Sequence, residues 1–324
     1  MSMFHWDKGL ILPEAGLSVD ITRRQACGFV SHAHGDHLGR HEITYCTAET
    51  ESLCRLRLSI KPTQVFRAMR FFEPIMCGAL KLTAYPAGHC LGSAMLLAES
   101  PQSGKRLLYT GDFKLGPSAT SVEAVVPKAD YLIMESTFGT PDYRMPPREE
   151  MIARLIDEVG ESFARKRSPV IFAYTLGKGQ EVSRLLTLAG FKVQQGKKMY
   201  EISEIYEKHG VPLGDVIPLL KRRSEPDRVL VIPAHHCPFE TPYPTRTFAV
   251  TGWAIRKGAV YQLRVDVAIP LSDHADFDEL VGAVERAEPE MVYCTHGGPE
   301  FVDHLNDLGF RARPLDRPYQ ERLF

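Results

Sequence analysis

The stretch Ser31–Arg40, SHAHGDHLGR, sets three imidazoles and a carboxylate within six positions: His32, His34, Asp36 and His37. Each is costly to bury unless it is hydrogen-bonded or holds an ion. The apolar run CGFV directly precedes them, so the cluster leaves the end of a strand. In extended chain, positions 32 and 34 project to one side. Gly35 then lets the chain turn, so that Asp36 and His37 point elsewhere. One short segment can thus serve two adjacent metal sites. Imidazole nitrogen with carboxylate oxygen suits Zn²⁺, and also Mn²⁺ or Fe²⁺.

A pair of sites needs more ligands, and other strand ends supply candidates. His89 follows an apolar run in AYPAGHCLGS, Asp112 in LLYTGDFK and His296 in MVYCTHGG. Alone, each reads as a turn Asp or a surface His. Together they share one context: apolar strand, small residue, ligand.

The remaining chain reads as α/β. Residues 26–31, 78–85, 94–100, 106–110 and 131–136 form strands, and 48–58 a helix. A change of texture follows. Residues 146–167 form a long amphipathic helix with Pro and Glu first and Arg/Lys last, which suits the helix dipole. A strand–turn–helix unit spans 169–190, a helix 199–210, and strands 228–233 and 247–251. The earlier style then returns with a helix over 276–287, opened by a capping box of Asp276 and Glu279. A strand at 291–295 and a helix at 299–309 complete it. The expected organisation is an α/β core over 1–139, an inserted α/β lobe over 140–270, and the core again over 271–324.

With 324 residues, 44% of them hydrophobic, the chain has enough apolar surface for more than one lobe. A net charge of −1 argues against nucleic-acid binding through overall charge, though not against a local basic groove. Seven cysteines without a CxxC pair read as reduced thiols. No stretch has the length and apolarity of a membrane span, and the opening residues do not read as a secretory signal. A cytoplasmic location is expected.

HAHGDH, PAGHCLGSA, YTGDFK, ESTFG, SDHADF and THGG, in this order, resemble the metallo-β-lactamase superfamily. More narrowly they resemble its β-CASP nuclease branch, and within it the bacterial ligase-associated DNA exonucleases. Blocks such as ESTFGTPDYR and FAYTLGKGQEV carry that narrower likeness. The resemblance implies an α/β fold: a metallo-β-lactamase αββα sandwich (1–139 and 271–324) with an inserted β-CASP domain (140–270). It implies two divalent ions, Zn²⁺ and/or Mn²⁺. His32, His34 and His89 would hold one, Asp36, His37 and His296 the second, and Asp112 would bridge them. Asp20 stands where the superfamily has an acidic residue that orients a ligating histidine; a plain turn aspartate is the other reading. Glu135 and His274 match two further motifs of the branch.

The chemistry so implied is phosphodiester hydrolysis by a hydroxide activated between two metals. Asp36 would ligate and accept its proton. His274 would be the general acid, kept protonated by Glu135. Lys178, in a Gly-Lys-Gly turn between a strand and a helix start, either grips a substrate phosphate or merely sits in a tight turn. Single-stranded DNA is the favoured substrate, with a DNA-repair role and a functional link to a DNA ligase. An RNA-processing nuclease shares the same ligands. An inactive scaffold would have lost some of them, and a small-molecule hydrolase would not need the inserted lobe. His41, His209, His235, His236 and His304 match no ligand position and are read as surface, cap or core residues.

Overall fold

The computed structural model describes residues 3–6, 9–58, 64–234 and 238–315. His235 and His236 therefore lie outside the described residues. Strands β1 (His5–Trp6), β2 (Leu10–Leu12), β3 (Leu17–Val19), β4 (Cys27–Phe29), β5 (Ile43–Cys46) and β6 (Val65–Ala68) form one sheet in chain order. From β3 onward its strands run parallel. Helix α1 (Ala48–Leu58) makes the crossover from β5 to β6.

A second sheet begins with β7 (Ile75–Cys77), β8 (Leu80–Pro86), β9 (Ala94–Glu99) and β10 (Arg106–Tyr109) as an antiparallel meander. Strand β11 (Tyr131–Glu135) then pairs parallel to β10. Here the chain departs through α2 (Arg148–Ala164). It lays down β12 (Ser168–Phe172), α3 (Lys178–Leu188), β13 (Lys192–Gln195), α4 (Lys197–Lys208), β14 (Val216–Pro218), β15 (Arg228–Ile232), β16 (Thr245–Val250), α5 (Ala259–Leu263) and β17 (Val267–Ile269). These six strands form an all-parallel sheet in the order β14-β13-β15-β12-β16-β17. The central strand β15 carries the continuous apolar run VLVI, as a parallel sheet covered on both faces requires.

The chain then returns through α6 (Phe277–Ala287), β18 (Met291–Thr295), α7 (Pro299–Asp307) and β19 (Ala312–Pro314). Strand β18 pairs parallel with β11, from Tyr131 against Met291 to Glu135 against Thr295. The capping box holds: Asp276 Oδ1 accepts from Glu279 N at 2.9 Å, and Glu279 Oε2 accepts from Asp276 N at 3.2 Å. Helix α2 ends at Ala164, so the basic run 165–167 lies past its last turn rather than in it.

Core packing gives the layers. Leu12, Leu17 and Phe29 of the first sheet meet Leu82, Leu96 and Leu107 of the second, face to face. On the other side of the second sheet, Leu108, Leu132 and Met134 pack under Leu280, Val284 and Leu305 of α6 and α7. The third sheet has its own core, with Leu155 and Val159 of α2 and Val182 and Leu186 of α3 against Ile171 and Val231. A separate cluster joins this lobe to the first: Leu53 and Cys54 of α1 pack with Ile202 and Tyr206 of α4. Among the described residues no helix is long and apolar enough to cross a membrane.

Candidate metal centre

Topology gathers the chemistry. Strands β8, β10, β11 and β18 all point the same way. Their carboxyl ends deliver His89, Asp112, Glu135 and His296 to one rim, where ligands of open α/β sheets collect. Strand β4 of the facing sheet delivers His32 to His37 to the same place.

Three ring nitrogens converge. His34 Nδ1 lies 3.0 Å from His32 Nε2 and 3.0 Å from His89 Nε2. Asp112 Oδ2 faces them, 3.4 Å from His32 Nε2 and 3.9 Å from His89 Nε2. One donor atom from each of the four residues lies within 4.8 Å of every other. A tetrahedral ion with bonds of about 2.0–2.1 Å to nitrogen holds its ligands roughly 3.3 Å apart, so this donor set fits such an ion.

The outer ring nitrogens are held as well. His32 Nδ1 meets Ser31 Oγ at 3.0 Å. His34 Nε2 donates to the Leu176 carbonyl at 3.1 Å, and His89 Nδ1 to the Asp273 carbonyl at 2.7 Å. Each of these contacts fixes a tautomer and leaves the other nitrogen free to ligate. Burial and the nearby His37 hold His32 well below its usual value. Burial and His89 bring His34 down to about 4, and burial with His274 lowers His89. All three are thus neutral at pH 7, the form that binds metal.

The second group is more open. His37 Nε2 lies 3.5 Å from Asp112 Oδ2 and 3.8 Å from Asp36 Oδ2. The Asp36 side chain is 71% exposed. The His296 ring is exposed and stands 5.6 Å from that of His37. Asp20 accepts four hydrogen bonds: from Ser31 N at 2.8 Å, Ser31 Oγ at 2.5 Å, His37 Nδ1 at 2.7 Å and Tyr109 Oη at 2.9 Å. Burial opposes a charge on His37, but Asp20 and Asp112 outweigh it and raise its affinity for a proton.

Beside the four-donor cluster, the His274 ring lies 4.6 Å from that of His89. Its Nδ1 sits 2.9 and 3.0 Å from the two oxygens of buried Glu135. Burial disfavours the imidazolium, yet Glu135 and Asp112 prevail and push it up to about 10.

Lys178 requires a correction. Its side chain has no exposed surface, and Nζ donates to Glu181 Oε2 at 2.8 Å. The turn's amides are taken too, Gly177 N by Gln180 Oε1 and Gly179 N by the Tyr174 carbonyl. Buried against Glu181, the Lys178 side chain has no surface with which to grip a substrate phosphate, and the tight-turn reading describes it. The unassigned histidines have local partners. His41 packs between Gly28 and Gly39, His209 Nε2 meets Ser52 Oγ at 2.9 Å, and the His304 ring stands 4.7 Å from that of Phe277.

No family model matches the chain. Over 98% of its length it is 35% identical to a probable DNA ligase of Opitutus terrae, of which it spans 32%. It is 31% identical to an RNase J-like protein of Methanocaldococcus jannaschii, over 54% of this chain and 48% of that one. With a DNA cross-link repair 1A protein of Gallus gallus it shares 23% identity, over 94% of this chain and 33% of the other. The chain belongs to the β-CASP branch of the metallo-β-lactamase superfamily. It spans about a third to a half of the length of these curated relatives. In fold it matches an Enterococcus faecalis protein of unknown function, with a TM-score of 0.60 at 15% identity, over 90% of this chain and 79% of that one.

In this β-CASP chain, sequence reasoning missed Ser31, Tyr109, Asp273 and the Leu176 carbonyl. Tyr109 could have been suspected as a hydroxyl three residues before Asp112 at a strand end. The two carbonyls carry no signal in the sequence, because every residue has one.

Proposed function

We propose that this β-CASP protein is a binuclear metal-dependent nuclease that hydrolyses phosphodiester bonds, with DNA as its favoured substrate. The observation that carries the reading is the convergence of His32, His34, His89 and Asp112 beside the Glu135–His274 pair. His32, His34 and His89 would hold one divalent ion, Asp36, His37 and His296 the second, with Asp112 between them. Bound there, Zn²⁺ or Mn²⁺ would supply a nucleophile from water at neutral pH and offset charge on the phosphate.

The chain's own residues orient and move protons. Ser31, Asp20 and the carbonyls of Leu176 and Asp273 aim the histidines inward. Glu135 holds His274 protonated through Nδ1, which leaves Nε2 to give its proton to the leaving oxygen. An affinity near pH 10 falls toward neutrality when cations bind nearby. Residues 1–139 and 271–324 form the metallo-β-lactamase domain in this reading, and 140–270 the inserted β-CASP domain. The direct pairing of β11 with β18, although the strands of the third sheet lie between them in the chain, supports that division.

A relative named as a probable DNA ligase supports a functional link to ligation, and one named as a cross-link repair protein supports a place in DNA repair. A second reading, RNA processing, draws on the RNase J-like relative. End-labelled single-stranded DNA and the matching RNA, incubated with Mn²⁺ or Zn²⁺, decide between them. Degradation of DNA that an Asp36→Ala, His37→Ala variant lacks is the expected result. Cleavage of RNA alone would move the assignment to RNA, and cleavage of neither would overturn the nuclease reading.

A further inference from the structure

The buried Lys178 points to a link between the inserted lobe and the metal centre. The turn from Tyr174 to Gly179 joins β12 to α3 and reaches the centre at three points. The Leu176 carbonyl takes His34 Nε2 at 3.1 Å. A Cβ on Gly177 would stand 3.3 Å from Cys90 Cβ and 3.5 Å from Asp273 Oδ2, so the turn is pressed against both residues. Lys178 Nζ stands 3.9 Å from Asp273 Oδ1, and the Asp273 carbonyl takes His89 Nδ1 at 2.7 Å. Behind it, Glu181 ties Lys178 to Arg148 and Ser118, at 2.8, 2.7 and 3.1 Å. Lys178, Glu181 and Asp273 are all buried.

These contacts are one-sided. The turn touches the partners of His34 and His89. Among the described residues it makes no contact with the partners of His37, which is held by Asp20 with Tyr109 behind it, although Asp20 also reaches His32 through Ser31 Oγ. We propose that Lys178 is a positioning residue through which the inserted lobe sets the affinity of the His32–His34–His89 site, and not of the His37 site. The proposal rests on the binuclear reading above. Its physical basis is general: hydrogen-bond partners that orient a ligating histidine are typically worth 10–100-fold in metal affinity. Linkage makes the effect reciprocal, so metal at this site must also favour docking of the turn.

The test is a titration of the purified full chain with Zn²⁺ in competition with a chromophoric chelator, which resolves two dissociation constants. In Lys178→Met one constant rises by about 10–100-fold and the other stays put. In Tyr109→Phe, which loosens Asp20 and His37, the other constant moves. Hydrogen exchange gives a second readout. Zn²⁺ slows exchange over 174–183 in the wild type, and less so in Lys178→Met. If Lys178→Met does not fold, Asp273→Asn removes the charge partner while keeping the carbonyl, and the same single constant is expected to rise. Two unchanged constants, or two that shift together, overturn the coupling while the binuclear reading stands. A wild type that binds no pair of Zn²⁺ ions overturns both.

Discussion

Both carboxylate oxygens of Glu135 face His274 Nδ1, at 2.9 and 3.0 Å. A fork of this kind fixes the ring and its charge, yet the pair is not among the residues that converge on His34. Replacing His274 should therefore separate chemistry from metal binding. His274→Ala is expected to lower the rate of phosphodiester cleavage by about 10²–10⁴-fold. Bound metal, measured by elemental analysis, should stay at the wild-type level. Loss of metal along with activity would reassign His274 as a ligand.

Asp20 has a different kind of importance. It adopts a left-handed backbone at φ +48°, a region asparagine also tolerates. Asp20→Asn should thus fold, while losing the charge that draws a proton onto His37 Nδ1. The expected outcome is weaker binding of one metal by about 10–100-fold, read by chelator competition.

Gly28 lies in β4, just before the ligand loop, and a Cβ there would stand 2.3 Å from the His41 ring. The ring is confined on its other side by Gly39. Gly28→Ala should destabilise the chain by about 1–3 kcal/mol, the cost of overpacking. Denaturant unfolding checks it, and an unchanged midpoint would show that His41 moves freely.

Glu181 links stability to pH. Burial opposes its charge, but Lys178 and Arg148 prevail, so the folded carboxyl titrates below its ordinary 4.5. A depressed folded value stabilises the native state above the unfolded value and loses that stability as pH falls through the folded one. Glu181→Gln should flatten the acid limb of the stability curve below about pH 4.5. At pH 7 it should cost about 3–5 kcal/mol, because buried Lys178 and half-buried Arg148 lose their anion. Thermal melts across pH 3–7 measure both effects.

The legible parts of the centre were those whose meaning is local. His32 and His34 fall at one strand end, His89 and Asp112 repeat its context, and these four converge, while Asp36 and His296 join no such group among the described residues. Helix α6 announced its own start through Asp276 and Glu279. The sequence leaves Lys178 open between a phosphate grip and a tight turn, because its environment includes Asp273, which is distant in the chain. Strands such as His5–Trp6 and Val216–Pro218 are too short for alternation to register, and only their neighbours make them strands.

The pairing of β11 with β18 also sets a timetable for synthesis. At about 5–20 residues per second, Thr295 is added roughly 8–30 s after Glu135. Through that interval the second sheet ends in an open edge, at the strand that carries Leu132, Ile133 and Met134. An unpaired apolar edge is a template for any passing strand. The newborn chain must therefore make its whole third sheet while the sheet that carries the chemistry stays unfinished and adhesive.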